Sequence, residues 1–347
     1  MNEFFLKLTS LTSFFRSLKD DVMRSYCDIQ MNDIPNFNPK NEDYEFVTVS
    51  ILCPHNLQVK LFPNNEPNAF NLHDIDPSIP IIIYFHVGGF IMGSSLDLYT
   101  VMLFDKLVQI QHGKQKTQPD VIFISVEYRL APEHPFPSGV IDCLSIMDYV
   151  CSSKVSPASR KFHLSGSSAG GNYCTVVTME HLRRFQDHRI LSVFIDIPAL
   201  DPKANSLSHY KNSKSSIAPW MIWTWRSYLS SKCKDEEQDF TTNTYHVQKS
   251  AWMKNGDTSR LIYPTTSVPP ARNNEKIGKN SIKFLIVTSL ADPLHDEGVD
   301  LVNKIEEMGY TQVKHFETMS GHATYLLCDR SMAQKIYCTW SSYIFQD

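Results

Sequence analysis

The chain has 347 residues, 42% hydrophobic and 20% charged, enough for one large domain with an insertion or for two ordinary domains. Its 33 basic and 37 acidic residues leave a net charge of -4, which excludes a polycationic footprint for nucleic acid or an anionic membrane surface. No apolar run near the N-terminus approaches the ~20 residues of a spanning helix, and no secretory-signal pattern is evident, so a cytoplasmic location is expected.

In chain order, Phe4, Phe5, Leu8, Leu11, Phe15, Leu18 and Val22 recur at helical spacing. They predict an amphipathic helix within residues 1–45 whose apolar stripe completes a cap. Glu45 to Leu52 and Leu57 to Phe62 flank Cys53-Pro54-His55-Asn56 and read as a hairpin at the start of a sheet. Ile79 to His86 is an apolar buried-strand run with its proline at the very start. Arg160 to Ser165 alternates like a short strand, and Gly170 to Arg183 is free of proline and suits a helix. The polar section at about 201–266 interrupts this pattern and reads as a lid or cap. Its tryptophans Trp220, Trp223 and Trp225 either line a pocket or pack the cap onto the core. Ile282 to Thr288 and Val313 to Glu317 read as two more strands.

This alternation predicts a single α/β domain over residues 46–347, with a mostly parallel, doubly wound sheet and helices on both faces. The eight cysteines form no C-x-x-C pair and no zinc spacing, so free, mostly buried thiols and no bound metal are expected. Oligomeric state stays open.

Between the Ser165 strand and the Gly170 helix lies Gly166-Ser167-Ser168-Ala169-Gly170, a G-x-S-x-G nucleophile elbow. Glycines two before and two after the serine let strand and helix pass on a tight turn, which makes Ser168 the candidate nucleophile. The run Val87-Gly88-Gly89-Phe90 follows an upstream strand. Asp292 and His322 each follow a downstream strand, at the carboxyl edge where open α/β sheets bind ligands.

These segments, with Tyr128-Arg129-Leu130-Ala131-Pro132-Glu133-His134-Pro135-Phe136-Pro137, resemble the hormone-sensitive lipase family of α/β-hydrolase esterases, whose motifs read H-G-G-G-F, Y-R-L-A-P-E-H-P-F-P and G-D-S-A-G. The resemblance runs from about residue 80 to the C-terminus. It implies an α/β-hydrolase fold with a helical cap and a cofactor-independent serine carboxylesterase hydrolysing short to medium acyl esters through an acyl-enzyme intermediate. Ser168 would be the nucleophile, His322 the base and Asp292 its orienting acid. The oxyanion hole would come from the N–H groups of Gly88, Gly89 and Ala169, and His86 would support the oxyanion loop.

Two positions depart from the family pattern: Val87 stands for the first glycine and Ser167 for aspartate. A β-branched residue resists positive φ, so Val87 is expected to keep a negative φ with Gly88 and Gly89 supplying the donors. Amide deacetylation by the same triad is one alternative, and a non-catalytic ligand receptor on a hydrolase fold is another. Asp296 and Glu297 suit a helix start, where acids meet the positive end of the dipole. Arg129 is expected to pair internally, Cys174 to lie in the core, and His163, His295 and His315 to be ordinary histidines.

Overall fold

The computed structural model describes residues 47–53, 56–62, 72–115, 121–153, 155–185, 188–215, 217–229, 264–267, 269, 273–274, 278–279 and 282–345. The expected cap helix of residues 1–45 lies outside them, as does residue 46 and most of the second half of the expected cap insertion.

The hairpin is present as β1 (Val47–Cys53) and β2 (Asn56–Phe62), paired antiparallel. Then follow β3 (Ile81–Phe85), α1 (Leu98–Gln115), β4 (Ile122–Glu127), α2 (Ser138–Cys151), β5 (Phe162–Ser167), α3 (Ala169–Arg184) and β6 (Ile190–Asp196). A helical excursion carries α4 (Leu207–Lys211) and α5 (Ile217–Leu229), and a two-residue ladder joins β7 (Asn273–Asn274) to β8 (Gly278–Lys279). The chain closes with β9 (Lys283–Ser289), α6 (His295–Glu307), β10 (Val313–Thr318), α7 (Tyr325–Cys328) and α8 (Arg330–Ile344).

The described residues build one large sheet in the order β10-β9-β6-β5-β3-β4-β1-β2, parallel from β10 to β4 and antiparallel at β1 and β2. The strands β3, β4, β6 and β9 are buried along nearly their whole length because helices cover both faces. Ile81, Ile83, Phe85, Val193, Ile195, Phe284 and Ile286 face the core shared with α2, α3 and α6. Their neighbours Ile82, Tyr84, Phe194, Leu285 and Val287 face the core under α1 and α8. The doubly wound α/β expectation therefore holds, with period-two alternation hidden inside the apolar strands β3 and β9.

Strand order fixes the position of the site. After β3 the chain steps outward to β4, then returns across β3 to place β5 on its other side. The carboxyl ends of β3 and β5 thus flank a topological switch point, where the loops diverge and leave a crevice.

Candidate active site

Ser168 occupies the turn between β5 and α3 with φ 55° and ψ -117°, a conformation that L-residues adopt only when the surroundings impose it. The turn is held by hydrogen bonds from Ser168 N to Asp196 O at 2.9 Å and from Ala199 N to Ser168 O at 3.1 Å. Close approach explains the flanking glycines. A Cβ on Gly170 would fall 1.9 Å from the Phe85 carbonyl oxygen, and one on Gly166 would fall 2.1 Å from that of Gly170. Four non-glycine residues with positive φ, Phe90, Ser168, Ile197 and Ala323, lie on the loops at the carboxyl ends of β3, β5, β6 and β10.

Those loops bring the predicted residues together. Ser168 Oγ lies 2.9 Å from His322 Nε2, and His322 Nδ1 lies 2.7 Å from Asp292 Oδ2. Asp292 is buried, and its other oxygen accepts the Leu294 N–H at 3.0 Å, which orients the carboxylate. Asn212 adds a hydrogen bond to the Asp292 carbonyl at 3.3 Å.

On the β3 side, Gly88 has φ 132° and Gly89 φ 59°, whereas Val87 is absent from the described positive-φ residues. The valine is tolerated because the left-handed turn begins one residue after it. Among the described residues, none accepts a hydrogen bond from the N–H groups of Gly88, Gly89 or Ala169. His86 is fully buried, stacks on Tyr128 with ring centroids 3.9 Å apart, and donates from Nδ1 to the Val87 carbonyl at 2.7 Å. The Tyr128 hydroxyl donates to the His86 carbonyl at 2.7 Å, so the strand end and the loop are pinned by one pair of rings.

A family model described as the alpha/beta hydrolase fold matches residues 82–326, well over half of the chain, from within β3 to within α7. The chain belongs to the α/β-hydrolase family, of the hormone-sensitive lipase and carboxylesterase type. This hydrolase is 23% identical over 292 residues to carboxylesterase 20 of Arabidopsis thaliana, an alignment covering 82% of this chain and 79% of that one. It is 36% identical over 100 residues to esterase LipI of Mycobacterium tuberculosis, spanning 28% of each. Among solved structures, an esterase of Pyrobaculum calidifontis superposes with TM-score 0.61 at 18% identity, covering 96% of this chain and 92% of that one, a likeness of fold.

Around Ser168, His322 and Asp292 the structure adds groups that the motifs do not name. Asp196, at the end of β6, is fully buried, and burial pushes its carboxyl up to about 6. It accepts hydrogen bonds from the Tyr99 hydroxyl at 2.5 Å and from Ser167 Oγ at 3.2 Å. Glu297 does more than meet a helix dipole. It is buried, accepts the N–H groups of Leu200 and Asp201, and is held well above the usual carboxylate range by desolvation. Asp296 accepts the Ser208 N–H at 2.7 Å and so ties α4 to α6.

The three tryptophans separate into different environments. Trp225 is buried against Phe90 with centroids 4.6 Å apart, whereas Trp223 is 51% exposed. Trp220 lies against the loop after β3, since a Cβ on Gly89 would sit 2.7 Å from its Cη2 and 2.9 Å from Thr224 Cγ2.

The remaining residues are structural in their contacts. Arg129 forms a forked pair with Asp142, with Nη2 to Oδ1 at 2.7 Å. Cys174 is buried, and desolvation raises its thiol. His163 is buried, held near 3 by desolvation and hydrogen-bonded to Ser192. His295 bridges Asp296 and Glu317 at 2.9 and 2.7 Å, a partnership invisible in sequence because Glu317 belongs to β10. Among the described residues no group of three or more metal-ligating side chains is assembled, and no helix is long and apolar enough to cross a membrane.

Proposed function

We propose that this α/β-hydrolase is a cofactor-independent serine carboxylesterase acting on short to medium acyl esters through an acyl-enzyme. The observation carrying this reading is the unbroken hydrogen-bond chain from Ser168 through His322 to Asp292, with the serine on a strained turn. In this mechanism His322 Nε2 takes the Ser168 proton as Oγ attacks the ester carbonyl, and Asp292 holds Nδ1–H and stabilises the imidazolium. The oxyanion is received by the N–H groups of Gly88, Gly89 and Ala169, where loss of one donor is worth about 3 kcal/mol. His322 returns the proton to the leaving alcohol, then activates water to release the acid.

Residues 46–347 act as one catalytic domain in this reading, with a cap drawn from about 201–266 and from residues 1–45. Among the described residues, the thiols of Cys143, Cys174, Cys328 and Cys338 outside any disulfide suit a reducing compartment, which supports a cytoplasmic location.

The test is hydrolysis of p-nitrophenyl esters, from acetate to long acyl chains, by the purified protein and its Ser168→Ala variant. Turnover is expected to vanish in the variant while its melting temperature is retained, and falloff with chain length would size the acyl pocket. Equal turnover by both proteins would remove Ser168 from the mechanism, and no turnover by folded parent protein would turn the search to amides or bound ligands.

A further inference from the structure

The nucleophile turn rests on a carboxylate that the triad does not use. Asp196 is paired in register with Ser167 on the neighbouring parallel strand, so the two side chains share a face directly beneath Ser168. The Asp196 backbone carbonyl holds the Ser168 N–H, and its side chain accepts from Tyr99 on α1 and from Ser167 on β5. The titratable groups facing it are Tyr84 of β3, Tyr99 of α1, Tyr325 of α7, Tyr337 of α8, and His322. The tyrosines are pushed far above their usual range by burial and stay neutral at working pH. Among the described residues facing Asp196, His322 is therefore the group that can become positive.

An asparagine would satisfy Tyr99 and Ser167 equally well. What only aspartate supplies at this place is negative charge, in a sealed setting where charge acts at longer range than in water. Resting on the esterase reading, we propose that Asp196 is a positioning residue of the site, a second carboxylate whose charge steadies the His322 imidazolium from beneath the nucleophile turn. Ionisation near pH 6 leaves the charge present at neutral and alkaline pH. Asp292 orients the ring by direct contact, and Asp196 acts through space on the same developing charge.

The test measures kcat/KM for p-nitrophenyl acetate from pH 5 to pH 9 in wild type, Asp196→Asn and the exchanged pair Ser167→Asp/Asp196→Asn, with folding checked by circular dichroism. In Asp196→Asn the alkaline plateau should fall roughly three- to tenfold, and the acidic limb should move about half a pH unit or more to lower pH, because protonating the imidazole becomes harder. The exchanged pair, which returns a carboxylate from the opposite strand, should bring the limb back toward wild type. An unmoved limb in Asp196→Asn overturns the proposal whether or not the plateau falls. If that variant does not fold, the exchanged pair decides: a wild-type limb supports the proposal and a displaced one overturns it. Turnover that persists in Ser168→Ala would instead overturn the esterase reading itself.

Discussion

Asp196 carries a second, independent signature in stability. Its carboxyl titrates near 6 in the folded chain against an ordinary 3.8, because burial disfavours the charged form. The folded-state value is raised, so between about pH 4 and pH 6 the native protein holds a proton that the unfolded chain has released. Stability falls as pH rises through that window and stays lowered above it, by about 3 kcal/mol for a shift of roughly two units. Asp196→Asn lacks this loss. Thermal melts of the two proteins should therefore diverge in favour of the variant between pH 4 and pH 7, even where it is the poorer catalyst. A constant difference across that range would mean that Asp196 never ionises, and would remove the basis for its charge in the site.

At the level of elements, the junction of β3, β5 and α3 has no room for a methyl group. Gly170→Ala would drive a Cβ into the Phe85 carbonyl, backbone against backbone, where no rotamer change relieves the overlap. A loss of roughly 3 kcal/mol or more is expected, seen as a lowered urea midpoint, and a midpoint equal to wild type would show that α3 shifts freely on the sheet. The same elements show what a reader of the sequence can and cannot see. The G-x-S-x-G turn was legible because its constraint is local: glycines at fixed offsets around one serine. Asp292 and His322 were legible because each lies just past a segment that reads as a strand, the apolar β9 for one and the mixed β10 for the other. Asp196 was not, since in the sequence it is only one acid within a long apolar run, and its meaning comes from Tyr99, Ser167 and His322 arriving from other elements. Trp220 was equally opaque, because three tryptophans in one helix differ only in which face meets the loop at Gly89. Glu297 passed for a helix-start acid although its carboxylate binds the backbone beyond β6.

On the scale of the molecule, the site is divided between the two wings of the sheet. The Gly88-Gly89 loop follows β3 and Ser168 follows β5, whereas Asp292 and His322 arrive on the turns after β9 and β10 at the far side. Ser168 and His322, in contact in the native state, are 154 positions apart along the chain. Their meeting requires β6 to pair with β9 across the whole intervening stretch of chain, and such non-local closure is slow compared with helix formation. Ester hydrolysis should therefore return later than far-ultraviolet circular dichroism when the protein is diluted from denaturant, and simultaneous recovery would mean that both wings close in one step. Recovered turnover would then act as a clock for the last strand pairing, reporting on native topology where a helical signal reports only local order.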